Sequence, residues 1–132
     1  MGYYFSDVMK ENGIDLSKEQ FLLLKYLYDQ DGRIQNELAF ITDRSKTSLT
    51  RLIQNMEKKG LVYRLVCKDD MRIRYVHLTE TGKEVWVRAQ PVVHAIIEEL
   101  QVGIAEEDLL HTIRVMEKIQ QNIHKKTKII TS

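Results

Sequence analysis

Lys46, Thr47, Thr50, Arg51 and Gln54 recur at a spacing that places them on one side of a helix. That side is small, polar and basic. Arg and Lys can reach guanine edges, and Thr can offer a hydroxyl or meet a thymine methyl. Ser45, Ser48 and Asn55 fall at the edge of the same face, where their side chains could bond phosphate oxygens. The charge around them has the matching sign. Residues 33–74 hold ten basic and five acidic residues, against three and six in residues 1–32 and seven and eight in residues 75–132. The net charge of +1 therefore hides a basic block between mildly acidic flanks. Such an asymmetry is what a phosphate-binding surface needs, although an ordinary solvated face can also carry it.

Other chemistries are poorly served. His77, His94, His111 and His124 lie on separate segments, and no HExxH, CxxC or paired Cys/His spacing occurs, so neither metal nor cofactor is expected. His94 and Glu98 stand one helical turn apart, a spacing that chance supplies often. No spacing of acidic residues marks a catalytic dyad, and no glycine-rich phosphate loop is present, so an enzyme is not expected. The single cysteine, Cys67, excludes an intrachain disulfide and fits a reducing cytoplasm. An idle or packed thiol is the expectation there. No apolar run approaches the length of a membrane span, and the N-terminus does not read as a secretory signal.

The elements that must position the basic face are readable in part. Residues 3–12 predict a short helix ending at Gly13. Ser17-Lys18-Glu19-Gln20 is a capping box, in which the serine hydroxyl accepts from a free amide and Gln20 reaches back. Phe21, Leu24, Leu27 and Tyr28 then form one apolar face, and Asp31-Gly32 stops the helix. Arg33-Ile34 reads as a brief extended link. A short helix with Leu38, Ala39 and Ile41 apolar is broken at Asp43-Arg44-Ser45, where Asp43 or Ser45 can cap the next helix. That helix runs to about Lys59, with Leu49, Leu52, Ile53 and Met56 inward, and Gly60 ends it.

The period then changes. Leu61–Val66 and Ile73–Leu78 are rich in Val, Ile, Leu and Tyr and flank the charged run CKDDMRIR, which predicts an antiparallel hairpin. Thr79 caps a long helix with Val85, Trp86, Ala89, Val93, Ile96, Ile97 and Leu100 apolar. Pro91 inside it predicts a kink or break near Gln90. Gly103 ends that helix. A last helix from about Ala105 to Lys126 has Leu109, Ile113, Met116, Ile119 and Ile123 apolar, with Ala105 a poor cap. The Lys125–Lys128 tail could touch DNA, though lysines at a helix end also favour the macrodipole. The fold class is mainly α with one small β-hairpin: a helix-turn-helix followed by a wing.

Five short patterns stand in order: Leu49-Thr50-Arg51, Gly60, Val62-Tyr63-Arg64, Asp70-Met71-Arg72 and Leu78-Thr79-Glu80-Thr81-Gly82. With them, LAFITDRSKTSLTRLIQNMEKKGLVYR and DDMRIRYVHLTETGKE resemble the MarR family of bacterial winged-helix regulators, over about residues 16–125. The resemblance implies a single domain spanning 1–132. Residues 17–82 would form the DNA-binding lobe, and 1–12 and 83–128 the dimerisation helices. It implies a homodimer on a pseudo-palindromic operator in double-stranded DNA, acting as a repressor released by a small-molecule effector. The apolar stripe to Ile123 and the aromatics Tyr3, Tyr4 and Phe5 fit such a pair independently.

On this reading Lys46, Thr47, Thr50 and Arg51 read bases. Arg72 enters the minor groove from the wing, with Asp70 holding it through a charge-assisted bond. Ser45, Ser48, Arg64, Lys68 and Arg74 meet phosphates. The effector pocket is expected near Tyr4, Tyr26 and Trp86. Three features depart from the family pattern: a short segment before Ser17, Thr42 where an apolar residue is usual, and Cys67 at the wing base rather than in the N-terminal helix. Two other classes stay open. One is a winged-helix protein-interaction module that does not bind DNA, which acidic or bulky apolar residues on the outer face of residues 45–54 would favour, and none occurs there. The other is a small-molecule-binding or enzymatic domain.

Overall fold

The structure, a computed structural model, describes residues 2–131, and the side chains of that span except those of residues 2, 3, 124 and 126–131. The expectations for Tyr3, Lys126 and Lys128 lie outside the described side chains. The chain divides into two units, one up to Ile96 and one from Ile97.

The first unit begins with α1 (Gly2–Glu11) and α2 (Lys18–Asp29), followed by β1 (Arg33–Ile34), α3 (Gln35–Ile41) and α4 (Lys46–Lys58). The hairpin is β2 (Val62–Val66) and β3 (Arg74–Leu78), and α5 (Glu80–Leu100) starts directly after it. The capping box on α2 is formed: Ser17 Oγ accepts from the Gln20 amide at 3.1 Å, and Gln20 Oε1 accepts from the Ser17 amide at 3.2 Å. Lys59 Nζ donates to the same Gln20 Oε1 at 2.8 Å, tying the end of α4 to the start of α2.

Leu23, Leu24, Leu27, Leu38, Leu49, Ile53, Met56 and Val76 are fully buried and make one core with Met9 of α1. This corrects the expected face of α2. Leu23 belongs to it and Tyr28 does not, because three helices and a sheet surround α2 and the buried arc is set by them. Ile41 is likewise exposed at the end of α3 rather than inward.

The sheet has three strands in the order β1-β3-β2, all antiparallel. Arg33-Ile34 is thus a strand, pairing with Val76 and Tyr75. Asp31 Oδ1 accepts from the Leu78 amide at 2.8 Å, fixing the end of α2 to β3.

Thr79 caps α5 as expected. Its Oγ1 accepts from the Gly82 amide at 2.9 Å and donates to the Gly60 carbonyl at 2.6 Å. The same joint explains Gly82. A Cβ there would stand 2.1 Å from the Leu61 carbonyl oxygen, so the first turn of α5 can sit on the entry to β2 only without a side chain. The helix then continues through Pro91 to Leu100 without the expected break. Proline there costs the single bond to the Val87 carbonyl, and the buried Ala89 and Ile96 on either side hold the axis.

The second unit holds the end of α5, the turn at Gly103 (φ +83°) and α6 (Glu106–Thr131). Ala105 offers no side-chain cap, but Glu106, Glu107 and Asp108 place negative charge against the positive end of the helix. Ile113, Met116, Ile119 and Ile123 are all about half exposed or more in this chain. Among the described residues no helix is long and apolar enough to cross a membrane.

Candidate nucleic-acid interface

The turn between α3 and α4 is closed by side chains. Thr42 Oγ1 donates to the Leu38 carbonyl at 2.6 Å, ending α3. This gives the polar residue at the turn a use that an apolar one would lack. Asp43 takes φ +54°, a left-handed conformation that Asp tolerates better than most residues. The Arg44 amide then bonds the Ala39 carbonyl at 2.9 Å. Of the two candidate caps, Ser45 is the one used: its Oγ accepts from the Ser48 amide at 3.1 Å.

On α4, Lys46, Thr47, Arg51, Gln54 and Asn55 are exposed, on the side opposite the buried Leu49, Ile53 and Met56. Lys46, Thr47 and Arg51 therefore stand together on the open face. Thr50 is half-buried. Its hydroxyl donates to the Lys46 carbonyl at 2.8 Å and accepts from Gln35 Nε2 at 3.1 Å. Ser48 accepts from Arg44 Nη1 at 2.8 Å, which brings a further guanidinium to the start of α4. Arg44 was not singled out in sequence, where it reads only as part of the break. Its distance of four residues from Ser48 is the one available signal. An open groove of about 580 Å³ runs along this edge, with Ser17 and Glu19 on one side and Arg44, Thr47 and Arg51 on the other.

The wing tip behaves as its residue types imply. Asp70 Oδ1 accepts from the Arg72 amide at 3.0 Å and from Arg72 Nε at 3.1 Å, while Oδ2 accepts from Nη2 at 3.3 Å. The Arg72 side chain remains 92% exposed, so the carboxylate aims the guanidinium without covering it. Those Arg72 bonds, side chain first and amide second, hold the Asp70 carboxyl below the usual carboxylate range. Lys68 and Arg74 are exposed on either side, and Cys67 is half-buried with its amide paired to the Ile73 carbonyl.

Two sets of expected site residues lie elsewhere. Arg64 does not project from the wing toward a phosphate. Its Nη2 pairs with Glu57 Oε1 at 2.9 Å, its Nη1 lies 3.5 Å from Gln35 Oε1, and its side chain is only 18% exposed. A carboxylate on α4 competes for it at short range, which no local pattern in β2 reveals. Among the described residues, Tyr4, Tyr26 and Trp86 line neither the groove beside α4 nor the recess between α2 and α5. Trp86 is stacked on Phe21 at 4.9 Å and packed on Tyr28 at 5.5 Å, Tyr26 lies under Arg33 at 5.8 Å, and Tyr4 is exposed on α1. Trp86 is thus packed within a cluster of Phe21 and Tyr28, which also holds Phe5 against Phe21. An open apolar recess of about 450 Å³ lies instead between Tyr28 of α2 and Lys83, Val87 and Arg88 of α5. Among the described residues no group of three or more His, Cys, Asp or Glu could hold a metal ion.

A reading helix with an open basic face, set beside a three-stranded wing whose tip carries an aimed arginine, defines a winged helix-turn-helix protein. A family model described as MarR family matches residues 13–73. The homoprotocatechuate degradative operon repressor of Escherichia coli is 25% identical over 87% of this chain and 76% of its own length. The MepR–DNA complex of S. aureus superposes with a TM-score of 0.80 and 26% identity, covering 93% of this chain and 89% of that one. AbsC, a MarR family transcriptional regulator from Streptomyces coelicolor, gives 0.82 and 25%, covering 94% and 84%. The chain is thus similar, in sequence over this lobe and in fold over nearly its whole length, to MarR family winged helix-turn-helix transcriptional regulators. The relatives so named are a repressor, a regulator and a protein solved on DNA.

Proposed function

We propose that this chain is a homodimeric, sequence-specific transcriptional repressor of the cytoplasm, released from a pseudo-palindromic operator by a small-molecule effector. The observation that carries the reading is the pairing of two exposed cationic elements. One is the Lys46, Thr47 and Arg51 face of α4, and the other is Arg72, aimed from the wing by Asp70. In this assignment Lys46, Thr47, Thr50 and Arg51 meet base edges in the major groove, and Arg72 enters the adjacent minor groove. Ser48, Lys68 and Arg74 meet phosphates. Ser45 serves first as the cap of α4, and Arg44 joins the phosphate set. Repression is supported by the E. coli relative, which is named as a repressor, and DNA as partner by the S. aureus complex. The apolar stripe of α6 supports a two-fold pair, since a face of four or more large aliphatic residues is costly to leave in water.

The test is selection of bound sequences from random duplex DNA, followed by gel shifts on the selected site between about 50 and 200 mM salt. A recovered inverted-repeat motif and binding that weakens steeply with salt are expected. Recovery of no motif, with no salt-dependent shift, would overturn the reading.

A further inference from the structure

The groove beside α4 has cations on one wall and an acid on the other. Arg44 and Arg51 line it from the helix-turn-helix, and Glu19 lines it from the first turn of α2. Glu19 is the one acid among the described residues of that lining.

The carboxylate has no printed task inside the fold. The cap of α2 is completed without it, by Ser17 Oγ on the Gln20 amide and Gln20 Oε1 on the Ser17 amide. Among the described residues neither Glu19 nor Arg51 forms an ion pair, with each other or with a third group. Arg44 gives one nitrogen to Ser48, and its charge is not neutralised by that hydroxyl. A glutamate in the first turn of a helix does favour the macrodipole. That role moves the stability of α2 and has no need of the charge standing across a groove from two guanidiniums.

We propose that Glu19 is an affinity-limiting residue: it opposes the DNA backbone phosphate that Arg44 and Arg51 draw to the edge of α4. The inference rests on the DNA-binding reading of α4 given above. Phosphates flank the bases that a reading helix meets, so the strand beside Thr47 and Arg51 passes the mouth of this groove. Two guanidiniums attract it there and one carboxylate repels it. Every duplex carries that phosphate. The repulsion therefore takes the same factor from specific and non-specific binding and leaves the preferred sequence alone. Its use is in release, because a repressor held less tightly by DNA leaves it for a smaller differential affinity of the effector.

The experiment compares wild type, Glu19→Gln, Glu19→Lys and Asp29→Asn. Binding is measured on the sequence that wild type selects from random duplex DNA and on an unrelated duplex, between about 50 and 200 mM salt. Asp29 is the control for net charge. It is exposed and stands at the other end of α2, roughly 15 Å along the axis, beyond the screening length of about 10 Å at 0.1 M salt. Glu19→Gln should tighten both duplexes about threefold at 0.1 M salt and steepen the salt slope by up to about 0.9, the value of one further phosphate contact. Glu19→Lys should tighten both about tenfold. Asp29→Asn should leave both nearly unchanged, and the selected motif should be the same for all four proteins. Melting temperatures report any loss of the macrodipole term separately.

A lower melting temperature in Glu19→Gln with unchanged affinity and salt slope would show a merely structural glutamate and overturn the proposal. Equal tightening in Asp29→Asn would assign the effect to net charge, and tightening confined to the selected sequence would make Glu19 a reader of bases; either overturns it. Absence of any salt-dependent binding by wild type would overturn the DNA-binding reading, and the proposal with it.

Discussion

The reading helix and the wing tip both present cations to solvent, yet they are held in opposite ways. The face of α4 is fixed from outside itself: Gln35 of α3 bonds Thr50, Arg64 of β2 bonds Glu57, and Lys59 reaches to α2. The wing tip is fixed from within, by one aspartate bonding one arginine two residues on. On the proposed reading, groups that keep register with neighbouring base pairs sit on a braced element. On the same reading, a group that follows a groove of variable width sits on a short local clamp, with no tertiary anchor among the described residues. The price of bracing is visible in Arg64, whose Nε is buried without an acceptor among the described residues.

The sharpest way to break this contrast is to disturb the joint on which the braced region depends. Gly82→Ala puts a Cβ against the Leu61 carbonyl and should cost about 3 kcal/mol by thermal or urea unfolding, because backbone must move to admit it. DNA binding should fall in parallel with the folded fraction. Arg72→Ala should leave the melting temperature unchanged and weaken binding about tenfold, chiefly on sites with A·T-rich flanks. Ser45→Ala removes a cap within the braced region and should lower stability by about 1 kcal/mol, with binding following from fraying of the first turn of α4. Asp70→Asn leaves Arg72 charged but loosely aimed, so an affinity loss of only about threefold is expected in titrations.

The smallest effect expected is that of pH on the wing. Asp70 has a lowered pKa, so its contribution is fully present above the ordinary carboxylate value of 3.8 and fades only as pH falls through the lower folded value. Between pH 5 and 8 the Asp70–Arg72 contacts should therefore show no titration when the Arg72 side chain is followed by NMR. Loss of the contacts within that window would remove the local clamp from the comparison.

Much of this architecture was legible because it is written locally. The capping box at Ser17, the end of α4 at Gly60 and the Asp70–Arg72 pair each involve residues within four positions of each other. What was not legible is written across the fold. A two-residue strand has no periodicity to detect, so Arg33-Ile34 declared itself only by pairing with β3. Arg64 resembles any exposed strand arginine until α4 brings Glu57 beside it. Trp86, Tyr26 and Tyr4 had the right types for a pocket, but which neighbour each ring packs against, Phe21 and Tyr28 on Trp86 or Arg33 over Tyr26, is set by distant parts of the chain. Pro91 carries a strong local signal for a break, and burial on both sides of it prevailed.

One further consequence follows from Asp43, held at φ +54° between the two helices of the motif. Glycine there would relieve roughly 1 kcal/mol of backbone strain in the folded chain. It would also release the denatured chain into more conformations, at a cost of about the same size. The two terms oppose each other, so the bend that separates α3 from α4 is nearly indifferent to this exchange in equilibrium stability. The stability of the bend is then partly a property of the disordered chain from which it folds, set by how little freedom that chain has at one residue.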